Sequence, residues 1–299
     1  MRVLTGGRKK KLIGILLVLP CLIVLVLMMA MPVVQIFTYS FSNIQLPHFK
    51  LSFAGLNNFK NVFAQPDIWL VVKNTIVWTI FSVLLQMLLG LGSGLVMSAN
   101  VKGIGALRVI ALLPWTVPSI VAANSWRWIF QGDYGVLNGT LKAIGLGKIA
   151  IPWLANTTTA MPAVLTAFTW AQFPFVMMMV VSAMQGLSRD MYEAAEIEGA
   201  SGFKMFRYIT FPGIKPVLTV VFALQLMGSI NAFDTMYVMT GGGPANATEI
   251  LGLFIYKLAF SNYDFSTASA VSVILLVIAI LGFCLYAPAQ KLSERKGNS

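Results

Sequence analysis

Charge, histidine and cysteine are all scarce in this chain. Of its 299 residues, 10% are charged, against about 25% in an ordinary water-soluble domain. The hydrophobic share is 58%. A soluble fold could not cover that much apolar surface, and long apolar runs of this kind read as membrane spans. The single histidine, His48, has no partner cluster, and the two cysteines, Cys21 and Cys284, lie inside apolar runs. They offer no zinc-ligand spacing and no disulfide framework. A phosphate-binding loop is missing too. Gly145-Leu-Gly-Lys148-Ile149 lacks the Ser or Thr that must follow the lysine. Acids within the apolar runs are limited to Asp234. That argues against a proton-driven carrier, which places acids or histidines in its spans. No His-Glu-x-x-His, nucleophile–base pair or carboxylate pair suggests a membrane-embedded enzyme.

What the chain does have is six apolar segments. They fall at about 12–34, 68–97, 106–123, 159–184, 217–238 and 267–288. Each approaches or exceeds the ~20 residues that a helix needs to cross a bilayer. The first is too long for the ~7–15-residue core of a signal peptide and reads as an uncleaved helix. No linker or low-complexity stretch divides the chain, so residues 1–299 read as one transmembrane domain. The expected fold class is all-α integral membrane.

The net charge is +11. The basic residues are scattered between apolar segments rather than gathered in a stripe with aromatics, so nucleic acid is not an expected partner. With six spans and the N-terminus in the cytoplasm, two-thirds of the Lys and Arg fall in cytoplasmic connections. Arg2, Arg8, Lys9, Lys10 and Lys11 lead that set, and Lys291, Arg295 and Lys296 end it. This bias predicts both termini inside. Trp69, Trp78, Trp126 and Trp128 lie near span ends, where tryptophan belts form. Phe53, Phe59 and Phe63 are expected to tuck the first outer loop against the bilayer or the helices.

The cytoplasmic loop at 186–215 is the most informative segment. Asp190 and Glu193 have the spacing of a helix N-cap and its third residue. Ala194 and Ala195 form helix well and have little bulk, so another surface could approach closely. Gly199 can end the helix in a left-handed conformation. Phe203 and Phe206 would share one face of a second helical turn, and Pro212 precedes the next span. The prediction is a helix–turn–helix element across the cytoplasmic mouth.

Glu193-Ala194-Ala195, Gly199, Ile209 and Pro212 together resemble the "EAA" signature of binding-protein-dependent ABC importer permeases. The resemblance implies the six-helix type I importer permease fold in a bacterial cytoplasmic (inner) membrane. It also implies that the first short helix couples to an ATPase, with Glu193 meeting a basic residue there. The implied assembly has a second permease chain, usually a different one, a dimeric ABC ATPase and an extracytoplasmic sugar-binding protein. ATP and Mg would bind the ATPase, and this chain would hold no cofactor and catalyse nothing. Thr240-Gly-Gly-Gly-Pro244, Leu113-Pro-Trp-Thr-Val-Pro118, Ser125-Trp-Arg-Trp-Ile-Phe130 and Gly55-Leu-Asn-Asn-Phe59 resemble the carbohydrate branch of that family. By resemblance to maltose-importer permeases, Phe168, Ala171, Gln172, Phe175 and Asn231 would line the substrate path. Unlike the larger permease of that type, this chain lacks two N-terminal spans and a large outer insertion. Aromatic faces suit sugar CH surfaces, and amides suit hydroxyls. Packing remains the alternative for the two phenylalanines, and a structural role is favoured for Asp234. The competing reading of the whole chain is an ion-coupled secondary transporter or channel subunit, which leaves residues 193–212 unexplained.

Overall fold

The computed structural model describes residues 6–99 and 101–297. Arg2 lies outside them, as do the side chains of Arg8, Lys9, Lys10, Lys291, Arg295 and Lys296. The chain forms two compact units, residues 6–65 with 255–274, and residues 66–254 with 275–297.

In the first unit, α1 (Gly6–Ser40) is longer than expected from its apolar run. Its Ile13–Ser40 stretch is apolar enough to cross a membrane, and the most apolar part of it has no residue buried against the rest of the described chain. Such a surface suits lipid or another membrane helix. A short antiparallel hairpin follows, β1 (Ser42–Gln45) with β2 (Lys50–Phe53), pairing Ser42 with Phe53 and Gln45 with Lys50. The fold is therefore all-α apart from this ribbon. Helix α2 (Asn57–Ala64) is tied back by Asn58, whose Nδ2 donates to the carbonyls of Ser40 and Ser42 at 2.9 Å each. Phe59 packs on Phe41 with ring centroids 5.3 Å apart, but Phe53 is 85% exposed rather than tucked against the chain.

The second unit holds α3 (Ile68–Met97), α4 (Ile104–Thr116), α5 (Ser119–Ile129), α6 (Val136–Ala143), α7 (Ala160–Gln185), α8 (Arg189–Ile197), α9 (Gly202–Met205), α10 (Phe211–Ile230) and α11 (Phe233–Met239). The last helices, α12 (Leu251–Tyr256) and α13 (Phe265–Gly297), each run between the units. Among the described residues five helices are long and apolar enough to span, and the α4–α5 pair makes a sixth if counted as one bent span.

Two predicted spans are corrected. The one at 106–123 is not a single rod, since α4 and α5 meet at 94°. Proline explains the bend. Pro118 cannot donate a backbone hydrogen bond and drives Val117 to an extended ψ of 128°. The span at 217–238 begins earlier and ends earlier. Helix continues from Gly202 through a π turn at Phe206–Thr210 to Ile230, then breaks at Asn231 before α11. Pro212 therefore does not mark a boundary. It lies inside the continuous helix just after the π turn, where Phe211 N–H bonds the Phe206 carbonyl five residues back, a widened register that accommodates a residue without an N–H.

Helices α3 and α7 form the spine of this unit. Gly90 and Gly94 are one turn apart on α3 and face Val176 and Val180, also one turn apart on α7. A Cβ on Gly90 would lie 2.3 Å from Val176 Cβ, and one on Gly94 2.6 Å from Val180 Cβ. Small residues at this spacing let membrane helices touch backbone to backbone. Trp78, placed at an interface by its position in the sequence, is instead fully buried, and its Nε1 donates to the Ser229 carbonyl at 2.9 Å. The Gly241–Pro244 turn is held by Asn74, whose Nδ2 donates to the carbonyls of Asn246 at 2.9 Å and Glu249 at 3.2 Å.

Candidate functional site

Two adjoining cavities of about 170 and 190 Å³ open in the second unit and share Ser119, Phe168, Gln172 and Thr235. Helix α7 supplies Phe168, Ala171 and Gln172, which share a face by their spacing of three and four residues. The bend at Pro118 brings Ser119 to the wall. On α10, Gln225, Gly228 and Ser229 repeat the same spacing, and the break after Ile230 turns Asn231, Asp234 and Thr235 inward. Of the five residues carried over from the maltose-importer resemblance, four line these cavities: Phe168, Ala171, Gln172 and Asn231.

Phe175 does not line them. It lies one turn further along α7 and stacks on Trp115, ring centroids 5.8 Å apart. Trp115 lines the second cavity, so Phe175 packs behind that wall without reaching the cavity. Asn231 is not on a span but at the C-terminal end of α10, its Nδ2 folded back onto the Met227 carbonyl at 2.9 Å.

Besides Gln172 and Asn231, the cavity takes polarity from Gln86, Gln225, Ser119 and Ser229, which no sequence motif singles out. Gln225 Nε2 donates to Gln86 Oε1 at 2.9 Å, joining α10 to α3. Gln86 is 1% exposed and Ser229 fully buried, yet Gln86 Nε2 and Ser229 Oγ have no hydrogen-bond partner among the described residues. An unpaired buried polar group costs about 1–3 kcal/mol. Ser119 Oγ donates to Asp234 Oδ2 at 3.0 Å. Asp234 thus belongs to the cavity wall, and among the described residues it is the only charged one lining either cavity. The signal was available, because a lone glutamine in an apolar run faces protein or water rather than lipid.

The 186–215 segment is built differently from its sequence expectation. Ser188, not Asp190, is the N-cap of α8, and Asp190 falls in the first turn. There its charge still suits the positive end of the helix. Glu193 pairs with Arg189 within α8, N to O 3.2 Å, both side chains well exposed. Ala194 is exposed and Ala195 half-buried. Gly199 ends the helix at φ +72°. Its N–H bonds the Glu196 carbonyl at 3.0 Å, and that of Ala200 bonds the Ala195 carbonyl at 2.9 Å. This is a Schellman ending. The second half is not a separate helix. α9 runs through the π turn into α10, so Ile209 and Pro212 lie in one continuous rod with the cavity-lining residues. Met191, Ile197 and Phe203 are 50, 88 and 74% exposed, an apolar surface flanking the Glu193–Ala195 face.

Residues 86–296 match the family described as binding-protein-dependent transport system inner membrane component. The chain is 35% identical over 276 residues, 91% of each chain, to the trehalose/maltose transport system permease protein MalF of Thermococcus litoralis. It is 29% identical to the sulfoquinovosyl glycerol transport system permease protein SmoG of Agrobacterium fabrum, covering 92% of this chain and 89% of the other. A solved bacterial ABC transporter involved in the import of the acidic polysaccharide alginate has the same fold in one of its chains, with a TM-score of 0.82, 20% identity and 96% of each chain covered. With the family match spanning most of the chain, this protein is an integral-membrane member of the binding-protein-dependent transport system inner membrane component family.

Proposed function

We propose that this chain is one half of the translocation path of an ATP-driven importer for neutral sugars or oligosaccharides. Its partners would be a second permease chain, a dimeric ABC ATPase that binds ATP and Mg, and an extracytoplasmic sugar-binding protein. The chain itself would hold no cofactor and catalyse no reaction. It would sit in the bacterial inner membrane with both termini cytoplasmic, as the distribution of Lys and Arg favours.

The observation that carries the sugar reading is the cavity wall. Phe168 offers a flat apolar face, while Gln172, Asn231, Ser119, Gln86 and Ser229 offer hydrogen-bonding groups. That mixture suits a hydroxyl-rich ring. Among the described residues no lysine or arginine lines either cavity, and the one charged group there is the carboxylate of Asp234. A negative wall repels an acidic sugar, so a neutral one is favoured. Two relatives named for sugar or sugar-glycerol transport support the class of solute. The cavities are small for an oligosaccharide, which accords with a path completed by a second permease chain.

Glu193, Ala194, Ala195 and Gly199 would form the face that docks on the ATPase. The exposure of Glu193, Ala194 and Gly199 on a helix with a Schellman ending supports that role. Ile209 and Pro212 would set the start of the helix that carries the motion inward.

The test is uptake in vesicles containing the assembled transporter. Gln172→Ala and Asn231→Ala are each expected to raise the apparent KM about five- to fiftyfold, the loss of one or two hydrogen bonds to solute. Copurification of the ATPase should be unchanged. Wild-type kinetics for every transported sugar in both variants would remove these residues from the path.

A further inference from the structure

Helix α8 stands almost free of the membrane helices. None of its residues is buried. Two short backbone links hold its ends, and two such links define an axis about which the helix could still swing. A third attachment off that axis would fix its orientation. Among the described residues, one side-chain hydrogen bond joins α8 to another element: Tyr192 Oη and Thr210 Oγ1 lie 2.8 Å apart.

Thr210 is well placed to receive a push. It is 4% exposed and closes the π turn that leads into α10. One turn later, Gly213 is pressed by the chain just before α8. A Cβ on Gly213 would lie 2.5 Å from Leu187 Cδ2. Beyond that point α10 is gripped along one side, where buried Ile214, Leu218 and Val221 pack with Val176 and Val180 of α7. The same helix then presents Gln225 and Ser229 to the cavity. From Thr210 to Ser229 it rises about 29 Å at 1.5 Å per residue.

We infer that the Tyr192–Thr210 hydrogen bond is the strut that fixes α8 on α10, so that a displacement of α8 by the ATPase becomes a displacement of the cavity wall. Tyr192 and Thr210 are positioning residues that touch no solute. The inference rests on the importer reading above. It differs from the docking role of Glu193–Ala195, because Thr210 is buried and lies outside α8. Docking alone would survive its loss.

The experiment uses the full transporter complex with its ATPase, in proteoliposomes. Cys21 and Cys284, both free and exposed, are first replaced by alanine. Gly228→Cys then places a thiol in the cavity, where an added Cβ meets nothing within 4 Å. Labelling by a membrane-impermeant methanethiosulfonate is timed with and without ATP, Mg and vanadate. The reporter protein should change its labelling rate when nucleotide is trapped. Adding Thr210→Val or Tyr192→Phe should shrink that change about three- to tenfold, the loss of one hydrogen bond. The ATPase should still copurify. Thr210→Ser, which keeps the hydroxyl, should restore the full change, whereas a merely structural defect would not follow the hydroxyl in this way. A full nucleotide-driven change in both Thr210→Val and Tyr192→Phe would overturn the strut. No nucleotide-driven change in the reporter protein itself would contradict the importer reading, and the strut with it.

Discussion

Replacing Gly90 or Gly94 by leucine is expected to be the most damaging change in the membrane part of the chain. The added Cβ alone would fall 2.3 Å from Val176 Cβ at Gly90 and 2.6 Å from Val180 Cβ at Gly94. Main-chain atoms leave no escape, since the Phe173 and Met177 carbonyl oxygens lie 3.0 and 3.1 Å from the same two positions. Relief requires α3 and α7 to separate. Overpacking of this kind costs about 1–3 kcal/mol per site, and more where backbone must move. In a membrane no hydrophobic effect presses the helices back together, so the lost contact is not recovered elsewhere. Separation would also carry off Gln86, one turn before Gly90, and break its bond to Gln225. Either variant should lose most of its monodisperse protein on heating in detergent at temperatures the wild type survives. Gly92→Leu is the control, because nothing lies within 4 Å of its added Cβ. An equal loss in Gly92→Leu would mean that helix contact is not the cause.

Gly199→Val is expected to reduce solute uptake at least about tenfold while leaving the chain in the membrane. The position is sterically open, with nothing within 4 Å of an added Cβ. The penalty lies in the backbone. Gly199 sits at φ +72°, where a β-carbon costs about 1–2 kcal/mol and a branched one more. The Schellman bonds from Gly199 and Ala200 would be lost as the ending unwinds, and the Glu193–Ala195 face would turn away from its partner. A graded series separates this from bulk. Asparagine tolerates the left-handed conformation and should be nearest wild type, alanine intermediate, valine worst. Glu193→Ala complements it. Its ion pair with Arg189 is exposed and contributes no more than about 0.5 kcal/mol to the helix. A large loss of uptake there would therefore come from docking, not folding. Equal uptake across the Gly199 series would remove the assignment of α8 as the coupling element.

The spans and the short exposed helix ending at Gly199 are legible because both leave periodic or fixed-spacing signals. Apolar length alone marks a membrane helix, and Glu193-Ala194-Ala195 with Gly199 forms a local pattern that needs no tertiary knowledge. The course of α9 into α10 was not legible. Pro212 reads as preceding the next span, but it lies inside a helix whose π turn accommodates it, and that turn has no sequence signature. The 94° bend between α4 and α5 could have been read from Pro114 and Pro118, although its angle could not. The cavity was half legible. Phe168, Ala171 and Gln172 share a face by spacing, whereas Phe175 fits the same stripe and is removed by Trp115, a contact that only packing reveals. Asn231 was placed on a span that in fact ends just before it. Gln86, Gln225 and Ser119 come from three different helices, and no local pattern links them.

The central claim is that this chain couples ATP hydrolysis in a partner to movement of a neutral sugar. The most direct measurement is ATP hydrolysis by the complex that copurifies with this chain, reconstituted with its binding protein. Trehalose, maltose and other neutral sugars would be compared with an alginate oligosaccharide as the acidic counterpart. Stimulation by at least one neutral sugar, and none by alginate, is the predicted result. A complex without ATPase activity, or one stimulated only by the acidic sugar, would contradict the account.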